Sequence, residues 1–295
     1  MPGDKMRCRR EDIRPVTSRV NRFAVWLAAV LAPLLLDGGL SLAFAQAKLD
    51  ATYSATLLGL PIGHISWTVE LHNNRFTSAA TGGISGLLRI FSDGHGDVSA
   101  GGSLSGGEPV ASHFALTLIA GKWSDEVRIL FRGNKAQEYV TALPAPGANQ
   151  VPITDANRTG VLDPMTALLV HVPGAGKTAV PEACERTIPI FDGHTRYNLR
   201  LSFKRVDTVS TEGGYQGPVI VCAVKFLPVA GYDPKHFLVT YLAAQHDIEI
   251  WLAPIAGSRL MVPYRMSMPT PMGLGILQAT KFESVPAKSQ TTNLN

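Results

Sequence analysis

The chain has 295 residues, of which 45% are hydrophobic and 17% charged, with 27 Lys and Arg against 23 Asp and Glu. Seven of the basic and four of the acidic residues lie in the first 45 positions, so the rest of the chain holds 20 basic and 19 acidic residues. This balance excludes the concentrated basic face that nucleic-acid binding needs, and we expect no nucleic-acid partner. About 250 residues suffice for one large β domain with its own core.

The first 45 residues predict a secretory signal peptide. Several arginines precede the apolar run 23–36, and small residues recur at Ala43, Ala45 and Ala47. That order of basic, apolar and small residues is typical of a cleaved export signal, and about 14 apolar residues are fewer than the roughly 20 of a spanning helix. We therefore expect cleavage after Ala45 or Ala47, a periplasmic mature protein and no transmembrane segment after cleavage.

The residues from 51 to 141 predict a series of antiparallel strands. They are rich in β-branched and aromatic residues and alternate polar with apolar positions, which is typical of half-buried strands. Asn73-Asn74 and Gly133-Asn134 are turn signals between such strands. The predicted strands are 51–58, 64–71, 75–81, 87–100, 113–119, 125–131 and 137–141.

A proline-rich loop and one helix are predicted after these strands. Residues 142–162 contain Pro144, Pro146 and Pro152, so a two-lobed structure hinged near 142–162 is an alternative to a single unit. The helix is predicted over 163–172, because Asp163 is a good N-cap and the proline after it is tolerated at the first helical position.

The remainder of the chain again predicts strands. Segment 237–244 fits a helix or a strand, and the polar residues 285–295 predict a disordered tail. The predicted strands are 185–191, 195–206, 209–211, 219–226, 245–252, 260–268 and 274–282.

This element order predicts an all-β, mainly antiparallel fold. Because exposed strand edges invite aggregation, many strands with little helix must close on themselves or form a sandwich. We expect an open or spiral β-barrel-like fold with one short helix near 163–172. Residues 46–284 are assigned to a single β-rich domain, with the two-lobed arrangement as the alternative.

Two cysteines remain in the expected mature chain, Cys184 and Cys222. An even pair in an oxidising compartment favours a disulfide. Closing their 38-residue separation would stabilise the fold by roughly 4 kcal/mol in the chain-entropy model. Two unrelated buried thiols are the alternative interpretation.

The sequence motifs do not predict a catalytic or metal site. Gly174–Thr178 resembles the end of a phosphate-binding loop but lacks its first glycine, and Ser85 and Ser105 do not fit G-x-S-x-G. Asp93–Asp97 has a carboxylate–histidine–carboxylate order that could hold a cation, but a glycine-rich turn explains it better. We expect no catalytic residue, no metal and no cofactor.

The methionine-rich region 261–272 indicates an irregular apolar pocket, because methionine side chains adapt to such spaces. Ordinary core packing is the alternative explanation. The side chains that we expect to line a ligand cavity are Trp67, Phe91, Trp251, Met266 and Met268.

Several segments, taken in order, resemble one protein family. They are LLGLPIGHISW (57–67), LDPMTALL (162–169), IPIFDGHTRYNLRL (188–201), CAVKFLPVAGY (222–232) and IEIWLAP (248–254). Over roughly Leu49 to Glu283 the chain resembles domain-of-unknown-function family 3108, a family of exported Gram-negative proteins. The resemblance implies a mainly β envelope protein in which Cys222 occupies a recurrent position, and it carries over no catalytic residues.

These observations favour a periplasmic, non-enzymatic protein that binds an apolar or amphipathic, lipid-like ligand or an envelope partner in cell-envelope maintenance. Two alternatives stay open. One is an envelope hydrolase whose catalytic groups come from distant strands, and the other is a scaffold that acts through a surface patch. The sequence does not determine the oligomeric state.

Overall fold

The structure is a computed structural model that describes residues 47–86, 93–141, 149–212 and 214–286. The predicted signal peptide, Phe91 and residues 287–295 lie outside these ranges. The strands are β1 (Ala47–Leu57), β2 (Leu60–His72), β3 (Arg75–Ile84), β4 (His95–Ser105), β5 (Glu108–Ala120), β6 (Trp123–Arg132), β7 (Lys135–Thr141), β8 (Val170–His171), β9 (Arg186–Phe191), β10 (Arg196–Ser210), β11 (Gln216–Ala230), β12 (Ile248–Pro254), β13 (Leu260–Thr270) and β14 (Gly273–Pro286), and helix α1 is Phe237–Ala244.

All fourteen strands belong to one antiparallel sheet. Its order is β7-β6-β5-β4-β3-β2-β1-β14-β13-β12-β11-β10-β9, with β8 paired to β13 outside that path. The edge strands are therefore β7 and β9. The segment between them pairs with both, because Thr159 bridges Lys135 of β7 and Leu162 bridges Ile190 of β9. The sheet is barrel-like and nearly closed, which confirms the predicted fold class.

The interior of this sheet is formed by alternating side chains. On β1 and β2 the inward positions include Leu49, Tyr53, Trp67 and Val69, all at most 4% exposed. They belong to one apolar cluster that receives residues from strands around the whole sheet. The period of two in the strands thus produces one continuous core.

Strands β11 and β12 are buried on both faces, which explains their unbroken apolar runs. Val219 and Val221 face the main core, whereas Ile220 and Cys222 face a second apolar cluster. Side chains between 167 and 184 cover that second face. The disulfide between Cys184 and Cys222 is present, and it joins the covering segment to β11.

The predicted helix over 163–172 is wrong. Asp163 caps the turn that follows it, because its Oδ1 accepts hydrogen bonds from the backbone N–H groups of Met165 (2.9 Å) and Thr166 (2.8 Å). The turn is only a 3-10 helix over Thr166–Leu168, after which Val170–His171 pairs with β13. A helix of about ten residues is only marginally stable by itself. The pairing of Val170 and His171 with β13 is therefore enough to favour a strand over the end of the predicted helix.

The α-helix of the described residues is α1, in the segment whose sequence fitted either helix or strand. It has eight residues. Within the described ranges no helix combines the length and the hydrophobicity that crossing a bilayer requires. The two strands predicted over 195–206 and 209–211 form one strand, β10.

Candidate functional site

The hairpin turns fall at two ends of the sheet because successive strands are antiparallel. We call one of them the apolar end, and its exposed two-residue turns are Leu58-Gly59 (β1–β2), Gly121-Lys122 (β5–β6) and Pro271-Met272 (β13–β14). The β3–β4, β9–β10 and β11–β12 connections lie at the same end. We call the other the polar end, and its turns are Asn73-Asn74 (β2–β3), Gly106-Gly107 (β4–β5), Gly133-Asn134 (β6–β7) and 255–259 (β12–β13).

A cavity of about 420 Å³ opens at the apolar end, between the ends of β1 to β6. Its inward-facing large side chains are apolar, and they are Ile65, Ile84, Val98, Leu116, Leu118 and Trp123. Its other inward positions carry no side chain beyond a methyl group, and they are Ala55, Gly63, Ala80, Gly82, Gly96 and Ala120. The space exists because small residues occupy the inward positions at this end, whereas large side chains such as Trp67, Phe76 and Phe114 are buried deeper in the interior.

Two glycines of the cavity wall are required by the close approach of neighbouring strands. A Cβ on Gly82 would lie 2.9 Å from the carbonyl oxygen of His64, and a Cβ on Gly96 would lie 3.0 Å from the carbonyl oxygen of Thr117. Glycine inside a strand commonly marks such an approach. These positions therefore cannot be filled without moving the strands.

Polar side chains lie on the opposite face of the same strands. Thr81, His95 and Asp97 alternate with inward glycines and are exposed. His95 Nδ1 lies 3.3 Å from the carbonyl oxygen of Asp93. Within the described ranges no three His, Cys, Asp or Glu side chains are grouped as metal ligands would be. The cavity can therefore remove apolar groups from water, and the titratable residues that border it, His64, His95 and Asp97, are exposed.

A second, smaller cavity of about 160 Å³ lies on the other face of β9–β13. Met266 and Met268, two of the residues expected to line a ligand cavity, line it together with Val224, Ile250 and Leu242 of α1. An apolar space of about 150 Å³ accommodates a benzene-sized group. It is too small for a lipid-like ligand, so the larger of these two apolar cavities is the candidate site.

The two described tryptophans of the expected set lie in the core and line neither cavity. Trp67 lies one inward position deeper than Ile65 on β2, and its Nε1 donates to Ser78 Oγ at 2.8 Å. Trp251 Nε1 donates to Asp207 Oδ2 at 2.9 Å. Its ring also contacts two arginines. Both indole N–H groups are thus satisfied inside the fold.

The turn between β9 and β10 also lies at the apolar end, but it is half-buried and is held by side-chain hydrogen bonds. Asp192 Oδ1 accepts hydrogen bonds from the backbone N–H groups of His194 (2.8 Å) and Thr195 (2.6 Å). Burial raises the pKa of Asp192, and burial together with the charge of Asp192 raises that of Tyr197. His194 Nε2 lies 3.1 Å from Asp125 Oδ2 of β6, which joins the two sides of the sheet at this end.

The fold and the cavity define a β-barrel-like protein with an open apolar interior at one end. The chain belongs to the family described as "Protein of unknown function (DUF3108)", whose model matches residues 51–280. No curated protein matches the chain.

Two of the solved structures that resemble this one cover most of this chain. The first is a β-barrel-like protein of DUF1849 from Brucella abortus, with a TM-score of 0.44 and 12% identity over 83% of this chain and 99% of that one. The second is a candidate lipoprotein from Parabacteroides distasonis, with a TM-score of 0.30 and 9% identity over 81% of this chain and 96% of that one.

Proposed function

We propose that this protein is a non-enzymatic binding protein of the cell envelope, which holds the apolar part of an amphipathic, lipid-like molecule in the larger cavity. The observation that carries the proposal is an open interior of about 420 Å³ whose inward side chains are apolar. Small-molecule sites are typically apolar spaces of about 300–1,000 Å³. The polar part of such a ligand would stay at the opening, where it remains in water.

Affinity in such a site comes from the apolar area that leaves water. Each buried methylene contributes about 0.8 kcal/mol, which corresponds to about a fourfold change in the dissociation constant. We expect alkyl ligands of increasing length to bind about fourfold more tightly per carbon until the cavity is full. A dissociation constant that does not change with chain length would contradict burial in this cavity.

Filling the cavity tests the site itself. Ala120 is an inward position at the opening, and Thr117 of the same strand faces outward and is exposed. Ala120→Phe should weaken binding of the fluorescent apolar probe N-phenylnaphthylamine at least tenfold, while Thr117→Phe adds the same ring outside and should leave it unchanged. Equal binding by both variants would exclude the cavity.

The proposal includes a periplasmic location for the mature protein. The basic, apolar and small-residue order of the first 45 residues supports export, and a disulfide suits an oxidising compartment. Mass spectrometry of the protein from fractionated cells should find a periplasmic form that begins at Gln46 or Lys48. An intact N-terminus on cytosolic protein would contradict it.

A further inference from the structure

The turns at the apolar end present large apolar side chains to solvent. Leu58 is 68% exposed, Leu60 61% and Met272 70%. Leu274 completes a group that we call the tip cluster: Leu58, Leu60, Met272 and Leu274. Its members lie together because β1 pairs with β14, and the backbone N–H of Leu58 donates to the carbonyl oxygen of Leu274 at 3.0 Å.

The β5–β6 turn reaches the same end on the other side of the cavity opening. Trp123 lines the opening and is still 49% exposed, and the exposed Lys122 precedes it. Lys122 is the single charged residue in the three exposed turns, whereas the β9–β10 and β11–β12 connections at the same end carry Asp192, Asp233 and Asp247. The carboxylates Asp93 and Asp97 lie on the β3–β4 side of the cavity.

The backbone conformation of Leu58, in the tip cluster, lowers the stability of the folded protein. Leu58 has a φ of +53°, which disfavours a branched side chain, in a turn type that prefers asparagine. At the polar end the corresponding first turn position is Asn73, with a φ of +49°. A leucine that is both exposed and in the left-handed region adds little to folding beyond its contact with Gly273, and strained residues collect at functional sites.

We propose that the apolar end docks onto the surface of a lipid bilayer, with the tip cluster below the headgroups and Trp123 and Lys122 at the interface. Tryptophan is enriched at that depth, and lysine extends its charge into the headgroups. The apolar residues project from separate turns around an opening, whereas a protein partner needs a continuous complementary face. Docking does not require a ligand in the cavity.

Trp123 gives a direct test. Trp67 and Trp251, the other tryptophans of the described residues, are buried. Vesicles of phosphatidylcholine with about 25% phosphatidylglycerol, brominated high in the acyl chain, should quench the fluorescence of the purified protein. Trp123→Phe should remove that quenching, and its persistence in this variant would contradict the proposal.

Tip variants separate docking from folding. Leu58→Asn should weaken vesicle binding about tenfold or more although it favours the turn, and Leu58→Asn with Met272→Gln should weaken it about 100-fold. The control is Leu130→Thr, since Leu130 is 50% exposed on β6 away from this end. This variant should bind vesicles as the parent does, and equal losses in tip and control variants would contradict docking.

Other occupants give different results. A concentration-dependent dimer that the tip variants abolish, with no vesicle binding, would assign the surface to a second copy of the chain and overturn the proposal. Ala80→Leu would narrow the cavity from β3, away from the turns, so it should weaken ligand binding and retain vesicle binding. Failure of ligand binding and failure of docking are thereby distinguishable.

Discussion

The tight hairpin turns at the two ends of the sheet use different residues in the left-handed backbone conformation. The polar end uses Asn73-Asn74 and Gly133-Asn134, whose φ angles lie between +49° and +60°. The apolar end uses Leu58-Gly59 for the same reversal, although a left-handed leucine costs about 1–2 kcal/mol. The residues of the polar-end turns therefore suit their left-handed backbone, whereas Leu58 at the apolar end does not.

The ends also differ in packing. At the polar end, Gly107 lies against the His171 ring, and His171 Nδ1 is 3.1 Å from Glu108 Oε1. Arg259, in the β12–β13 turn of the same end, donates to the carbonyl oxygens of Val172 (2.9 Å) and Pro173 (2.9 Å). At the apolar end, a Cβ on Gly59 or Gly121 would meet no atom within 4 Å. The covering segment thus braces the polar end at the β4–β5 and β12–β13 turns, although a Cβ on Gly106 or Gly133 at that end would also meet no atom within 4 Å.

The largest expected effect comes from adding one methyl group at each end. Gly107→Ala should destabilise by about 2–4 kcal/mol, because its Cβ would lie 2.3 Å from His171 Nε2 and its φ is +92°. Gly121→Ala has the same kind of backbone but open space, so it should cost only about 1–2 kcal/mol. Urea unfolding of both variants measures the difference, and equal losses would refute the contrast in packing.

Exchanging the first turn residue between the ends should give effects of opposite sign. Asn73→Leu should destabilise by about 1–2 kcal/mol, and Leu58→Asn should stabilise by about 1 kcal/mol, because both positions have φ near +50°. Thermal unfolding of the two single variants measures this. If Leu58→Asn lowers stability, the leucine serves the fold and the interpretation of the apolar end is wrong.

The smallest expected effect concerns Asp192, in the half-buried β9–β10 turn of the apolar end. Burial raises its folded pKa, so the native chain holds this proton more tightly than the unfolded chain does. Its contribution to stability is therefore present below the unfolded pKa of about 3.9 and lost as the pH rises through the folded pKa.

Asp192→Asn keeps the acceptor for His194 and Thr195 but does not titrate. Its stability relative to the parent should therefore increase between pH 4 and pH 7 in urea unfolding. Asp192→Ala removes the acceptor and should be less stable than Asp192→Asn at every pH. A difference between parent and Asp192→Asn that is independent of pH would show that Asp192 is not desolvated.

Local signals predicted much of this fold. The turn at Asn73-Asn74 and the alternating strands depend on neighbouring residues, and both are found in the structure. The two-residue strand β8 could not be predicted, because its pairing partners are Leu260 and Met261, about 90 positions away. The helix expected at 163–172 failed for the same reason, since the pairing with β13 replaces its last turn.

The candidate site was harder to predict than the fold. Its opening brings together Ala55 and Trp123, which only the closure of the sheet places on one cavity. The sequence feature that marks the cavity is glycine at inward strand positions, namely Gly63, Gly82 and Gly96. The large apolar residues Trp67 and Trp251 belong to the core instead. That Met266 and Met268 line a ligand-binding site stays a prediction.

The most direct test of a ligand-binding interior is native mass spectrometry of protein purified without detergent. We expect the parent and Thr117→Phe to carry a small amphipathic molecule that dissociates on activation, and Ala120→Phe to lack it. An empty parent, or the same bound mass in all three proteins, would contradict a ligand held between β1 and β6.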